Sequence, residues 1–483
     1  MKFKYLTLIS LIFIQMFGCK GLPEYLFLPQ SMKLDLTPFL FRVYSPAELA
    51  TLSNSDFNLN DSGLITSTKF SRFLSNWTNN HPAEVSGNLV IFQIQTSGSA
   101  SGRYVFFDGK KTFSYPIANL PDLLTETRDD GVLAVDGIVP KGKKITDFLA
   151  IYGVDPTIDY VVFAQDTSSL ANLSSATFAY YSLLYWGFPK ERLAILNGSI
   201  ADLTAANLLF TTPSYTYVNS NRSGNIKTLY RDHTVLQLTI GDVIHSIKNG
   251  NTNFEEVDPV PSEGFYIIDG RPNASYTGTA NSTAAGSKYA NCTTKTNSTF
   301  VSNTCVTTFE GRIKSASNLI PTDLYDGTTF QFKSFSQLQT YLNNTGYQSG
   351  KQIYVYGEDA TKGSLVWFIL HQVLGKPTRL YEGGWKQYGA LGLKTPSSGS
   401  SPSAISQPAS YWRTDIATLS ENNTSNADAN IPNYQLDVAR QYVKSSNKLR
   451  TEDKAFLRGS SSAAASGGGG GAPTGGGGNA CGG

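Results

Sequence analysis

Short apolar runs, each closed by glycine, proline or a polar cluster, recur along the chain. The run at Ile353, Tyr354, Val355 and Tyr356 organises the rest. It has no polar face, as a parallel strand buried on both sides requires. From Ser364 onward apolar residues follow closely enough to predict a helix enclosed on several sides. Gly375-Lys376-Pro377 supplies its stop signal. The polar stretch between strand and helix reads as a loop whose backbone N–H groups converge at a helix N-terminus, a ready seat for an anion.

The same pattern occurs earlier. Residues 88–92 predict a strand, and 146–154 a short amphipathic helix closed by Gly153. A buried strand is expected at 160–164, a helix at 174–186 stopped by Gly187, and a strand and turn at 192–198. After a polar linker near 212–224 the pattern restarts: helix at 239–248, strand at 264–269, helix at 335–342, the central unit, then Arg379-Leu380-Tyr381-Glu382-Gly383-Gly384-Trp385. Phe163-Ala164-Gln165-Asp166 answers Val355-Tyr356-Gly357-Glu358, and Leu196-Asn197-Gly198 answers Tyr381-Glu382-Gly383. This is duplication of a whole domain rather than a short-period repeat. The expected fold class is α/β: two tandem domains, 35–211 and 225–395, each a mainly parallel sheet flanked by helices. A Thr/Ser/Asn-rich insertion spans 273–308. Residues 396–483 read as a low-complexity, glycine-rich tail, with one helix expected at 433–448 behind an Asn433 cap.

Composition changes this picture mainly at the ends. The 483 residues are 40% hydrophobic, enough for real cores, and the net charge of +2 gives no reason to expect a nucleic-acid partner. Lys2 and Lys4 precede an apolar stretch at 5–17 that suits a secretory signal and is too short to span a bilayer. Met16-Phe17-Gly18-Cys19 then resembles a bacterial lipoprotein signal, in the looser form typical of spirochetes. The resemblance implies a signal peptide at 1–18, lipidation of Cys19, a tether at 19–34 and a membrane-anchored body in the cell envelope. Cys292 and Cys305 share the polar insertion. In an oxidising compartment they are expected to form a disulfide, whose short loop would add about 3 kcal/mol. A metal or redox pair is the alternative, without C-x-x-C spacing or a neighbouring histidine. Cys481 has no partner in sequence.

Four features of the second half carry a further resemblance. In order they are Ile267-Ile268-Asp269-Gly270-Arg271 with Tyr276-Thr277-Gly278, then Gly311-Arg312-Ile313-Lys314-Ser315-Ala316, the central strand–loop–helix, and Leu380 to Trp385. Together they resemble the tandem rhodaneses, the thiosulfate and 3-mercaptopyruvate sulfurtransferases. The resemblance implies a degenerate first domain and an active loop in the second. The family's chemistry is a persulfide on a loop cysteine whose thiolate is held by N–H groups and cations. Aligned without gaps, that cysteine falls on Gly357, and the family's Cys-x-x-Gly-x-Arg reads Gly357-Glu358-Asp359-Ala360-Thr361-Lys362. Glycine has no nucleophile, and Glu358 and Asp359 add negative charge. Lys362 keeps a cation at the last position, and Arg271 matches the family arginine that helps hold the substrate anion.

The expectation is an envelope-anchored rhodanese-fold protein without persulfide chemistry, a binding or scaffold module for a small anion or a protein. The alternative is a sulfurtransferase using Cys292, Cys305 or Cys481. Lys362-Gly363-Ser364 lacks the glycine before lysine that a P-loop needs. His81, His233, His245 and His371 show no metal-binding spacing, His371 reads as packed or solvated, and no G-x-S-x-G elbow occurs. No metal or cofactor is expected.

Overall fold

Ten short strands build two parallel sheets with one strand order. The computed structural model describes residues 41–95, 102–105, 107–130, 134–203, 209–210, 224–249, 264–278, 311–389 and 448–459. The elements below belong to the compact unit Arg42–Gly483. In the first half β1 (Gly63–Thr66), β2 (Leu89–Gln95), β3 (Thr112–Ala118), β4 (Tyr160–Gln165) and β5 (Leu193–Ser199) are ordered β1-β5-β4-β2-β3. In the second half β6 (Gln237–Leu238), β7 (Phe265–Asp269), β8 (Ser317–Asn318), β9 (Gln352–Tyr356) and β10 (Thr378–Tyr381) are ordered β6-β10-β9-β7-β8. First strand at one edge, last strand beside it, third at the other edge: the repetition expected from sequence is present in topology. Every neighbouring pair in both sheets is parallel. Strands β4 and β9 are buried at every position, which is why their sequences lack alternation.

The main helices are α1 (Ser67–Ser75), α2 (Gly142–Ile151), α3 (Leu170–Tyr185), α4 (Ile240–Asn249), α5 (Phe335–Asn344), α6 (Ala360–Phe368) and α7 (Lys448–Leu457). Helix α3 follows β4, and α6 follows β9. These two equivalent helices pack on each other, so each is apolar nearly all round and buried on several sides. Tyr181 meets Trp367 edge-to-face at 4.8 Å, and Tyr180 meets Phe368 at 5.1 Å. At their centre the Thr177 and Ser364 hydroxyls hydrogen-bond at 2.9 Å, fully buried. Past Phe368 the helix widens into a π-turn, Ile369–Val373, before Gly375 ends it with φ +64°.

Sequence and structure part at several boundaries. Helix α6 starts at Ala360, not Ser364, because the Asp359 side chain caps it by accepting from Lys362 N. Strands β1 and β3 and helix α1 lack a sequence expectation, as do the two-residue edge strands β6 and β8. Helix α7 lies inside the span 396–483 read as a low-complexity, glycine-rich tail; of the helix expected at 433–448, only Lys448 is described. Helix α7 is pinned to both halves. Arg450 grips Asp242 at 2.5 and 2.9 Å, and Asp453 grips Arg128 at 3.0 and 2.6 Å, with all four side chains buried. Tyr185 of α3 donates to Asp453 at 2.7 Å, and Phe456 packs edge-to-face on Trp186. Among the described residues no helix is long and apolar enough to cross a membrane.

Candidate functional site at the end of strand β9

Strand β9 ends at Tyr356, and only Gly357, Glu358 and Asp359 connect it to α6. Three of the six residues expected in an anion loop, Ala360, Thr361 and Lys362, are therefore in the first helical turn, and Lys362 is exposed. The connection is closed from two sides. A Cβ at Gly357 would lie 2.4 Å from Gly363 N and 2.7 Å from Gly363 Cα, so the turn is back-to-back with the helix. On the other side Trp385 N donates to Gly357 O at 2.9 Å, and Lys386 N to Glu358 O at 3.0 Å. Gly384, at φ +57°, is pressed so close that a Cβ would meet Glu358 O at 2.7 Å. The helix N-terminus is served by the protein's own carboxylate: Asp359 caps it and pairs with Lys386 Nζ at 3.2 Å. The anion seat expected at this N-terminus is thus occupied by Asp359.

Arg271 is also committed. Its Nε and Nη2 grip the Asp269 carboxylate at 2.9 and 2.6 Å, and Nη2 reaches Gly311 O at 2.5 Å. Tyr356 donates to the same carboxylate at 2.5 Å and accepts from Ile313 N at 3.1 Å. The guanidinium sits 4.2 Å from the Trp385 ring centre. Burial opposes its charge, but Asp269, Tyr356 and Glu358 outweigh that and hold its pKa above the usual value. Only Nη1 lacks a hydrogen-bond partner. The sequence expectation of an anion-holding arginine gives way to a buried Asp–Arg–Tyr strut that ties β7 to β9. The structure does not join Arg271 and Lys362 in one cradle: one is enclosed and the other lies on the surface.

Sequence reasoning missed Glu382. It follows β10 directly and is buried where the halves meet. Tyr181 of α3 donates to it at 2.7 Å, and Val139 N at 3.0 Å. Burial pushes its pKa up to about 7, against the Tyr181 and Val139 hydrogen bonds and the nearby Arg128. A carboxylate directly after the Leu380-Tyr381 pair of a strand was the available signal; its partners, from another half of the chain, left none. His371 is buried, bonded to Pro46 O at 3.1 Å and to Gln372, and burial lowers its pKa to about 3; it is a packed neutral ring. Among the described residues no group of three or more His, Cys, Asp or Glu side chains could hold a metal ion. Cys19, Cys292, Cys305 and Cys481 lie outside the described residues, so lipidation and the disulfide remain sequence expectations.

Comparison with known proteins adds the following. No curated relative matches the sequence. Among solved structures the chain is similar to the Tum1 protein from Saccharomyces cerevisiae, at 14% identity and TM-score 0.44, over 68% of this chain and 95% of that one. It is similar to SseA from Escherichia coli, described as a 3-mercaptopyruvate sulfotransferase, at 14% identity and TM-score 0.42, over 67% of this chain and 99% of that one. The anaerobic ergothioneine biosynthesis enzyme from Chlorobium limicola is a third, at 12% identity and TM-score 0.46, over 68% of each chain. Likenesses this remote carry no argument about chemistry. The family evidence is local: residues 253–391, which hold β7 to β10 and the Gly357 turn, match the Rhodanese-like domain.

Proposed function

We propose that the protein is an envelope-anchored rhodanese-fold module that binds or scaffolds a protein partner and has no persulfide chemistry of its own. The observation that carries this reading is the Gly357 turn. The place of a side chain at 357, where the family's loop cysteine aligns, is filled by the backbone of Gly363. The surroundings agree with it. Glu358 and Asp359 would oppose a thiolate, while the helix N-terminus and Arg271 are already engaged by Asp359 and Asp269. A small anion has no open seat in this arrangement, which favours a protein as the partner. The lipid anchor rests on Gly18-Cys19 behind the apolar signal.

The test is a sulfurtransferase assay on the detergent-solubilised full chain, from thiosulfate and from 3-mercaptopyruvate to cyanide, beside Gly357→Cys. Neither protein is expected to transfer sulfur. The variant should lose stability by about 1–3 kcal/mol, since its Cβ overlaps backbone that has nowhere to go. Transfer by the unaltered chain would overturn the reading and return the alternative, an enzyme using Cys292, Cys305 or Cys481. Transfer by the variant alone would show a cradle that opens. For the anchor, Cys19→Ala should move the protein from the membrane to the soluble fraction, and unchanged membrane association would refute lipid attachment.

A further inference from the structure

The compact unit begins at Arg42, and it begins in a basic patch. The two-residue strand Arg42–Val43 runs parallel to Arg231–Asp232, with Arg42 opposite Arg231 and Val43 opposite Asp232. Both guanidinium groups approach the Tyr44 ring, at 4.3 and 5.7 Å from its centre. Arg458, directly after α7, comes within 4.0 Å of the Asp232 carboxylate. Lys227, whose carbonyl accepts from Tyr230 N at 3.3 Å, sits over the Phe456 ring of α7 at 4.2 Å. Resting on Cys19 as a lipid anchor, we propose that this patch faces the membrane and binds anionic phospholipid headgroups.

The cations are accessible. The Arg42 side chain is 63% exposed and that of Arg458 46%. Arg42 also pairs with Glu48 at 3.4 Å, but both side chains are exposed, and such a surface pair is worth little. The carboxylate of Asp232 is buried. The local field is positive: burial, and after it Arg231, Lys190 and Arg42, lower the pKa of His233 to about 3 against its bond to Leu184 O. That ring stands edge-to-face with Tyr44 at 4.6 Å. Two apolar side chains accompany the charges, Val43 at 56% exposed and Tyr230 at 42%. Tyr230 holds φ +48°, a conformation that glycine would take without strain, yet a large exposed ring is kept there. Basic residues beside an exposed aromatic and an exposed aliphatic side chain suit a bilayer interface. Each cation near an anionic surface is worth about fivefold in affinity. That is modest for a protein in free solution but enough to orient a tethered one. Cys19 precedes Arg42 by 23 residues, so a lipid there keeps the patch within about 80 Å of the bilayer. None of these residues belongs to the Gly357 turn, so the sulfurtransferase result leaves this surface untouched either way.

The experiment reconstitutes the detergent-solubilised full chain with vesicles of phosphatidylcholine alone and of phosphatidylcholine with phosphatidylglycerol. Flotation reads attachment, and amide hydrogen exchange reads the face in contact. Relative to the rest of the chain, amides at 42–48 and 227–232 should exchange about fivefold more slowly, or slower still, on the anionic vesicles. Salt at about 0.5 M should remove the difference. Arg42→Gln/Arg231→Gln should remove most of it at an unchanged unfolding midpoint, and Arg458→Gln, on the surface, should act in the same direction. Flotation on both vesicles with equal exchange would overturn the membrane face and leave the anchor standing, as a patch reserved for a protein partner requires. Flotation on neither would overturn face and anchor together. Flotation on the anionic vesicles alone, with the patch slowed, would remove the anchor and keep the face. Slowing that survives salt and both variants would also overturn the membrane face, since these cations would then carry none of it.

Discussion

Glu382→Gln should flatten the fall in stability that the protein otherwise shows as pH rises. In the folded chain the Glu382 carboxyl titrates near 7, against 4.5 for an ordinary glutamate. The folded state therefore keeps a proton that the unfolded state releases, and stability is lost as pH climbs from about 4.5 through about 7. At about 1.4 kcal/mol per pH unit, the gap makes about 3 kcal/mol. Glutamine mimics the protonated acid: its carbonyl can accept from Val139 N while its amide donates to Tyr181 Oη. At pH 5 the variant should be nearly as stable as the unaltered protein, and at pH 8 more stable by about 3 kcal/mol. Urea unfolding followed by the fluorescence of buried Trp367 and Trp385 reads both values. Asp453 also has its pKa raised by burial, despite Arg128, so the unaltered protein will slope further than Glu382 alone dictates. The difference between the two proteins is the informative quantity. Parallel pH profiles would refute the reasoning, because they would mean that Glu382 is ionised without cost at the joint.

Other expectations follow from the same buried charges. Arg450→Met leaves Asp242 enclosed and unpaired and should cost about 3–5 kcal/mol, with partial recovery in Arg450→Met/Asp242→Asn. No change in the unfolding midpoint would show that α7 is not docked. Arg271→Met should cost about as much through Asp269, and thiosulfate should not stabilise the unaltered protein beyond the effect of ionic strength. A specific stabilisation by thiosulfate would restore Arg271 as an anion ligand. Non-reducing peptide mapping should find Cys292 joined to Cys305; two free thiols would exclude the disulfide.

The sequence made the sheet centres legible and the edges not. Strands β4 and β9 are buried on both faces, so an unbroken apolar run names them without any partner. Gln237–Leu238 and Ser317–Asn318 are two residues each, too short for a period, and become strands only through neighbours already in place. The start of α6 was misread because Ala360, Thr361 and Lys362 look like loop, although Asp359 offered a cap signal. Helix α7 was hidden for a different reason. Half of its residues are charged, which locally describes a solvated surface, and Arg450 and Asp453 are buried only because Asp242 and Arg128, hundreds of residues away, neutralise them. At the candidate site the motif located the turn, while the closing contacts of Trp385, Lys386 and Gly384 depend on tertiary approach. Arg271 had the right neighbours in sequence for an anion ligand, but an aspartate two residues earlier claims it.

The docking of α7 also bears on when the molecule becomes complete. Arg128 waits for Asp453, 325 residues further along, and Asp242 waits for Arg450, 208 residues further along. During synthesis both halves can be in hand while two charges destined for the interior still lack their counterions. Closure over such separations is the slow kind, set by chain search rather than by local structure. The joint between the halves, with Tyr185 and Trp186 on its wall, therefore stays wet and yielding until the far end of the chain arrives. A shortened product that stops before residue 448 would carry both sheets and still present an unfinished seam, the sort of surface that quality-control proteases and chaperones recognise.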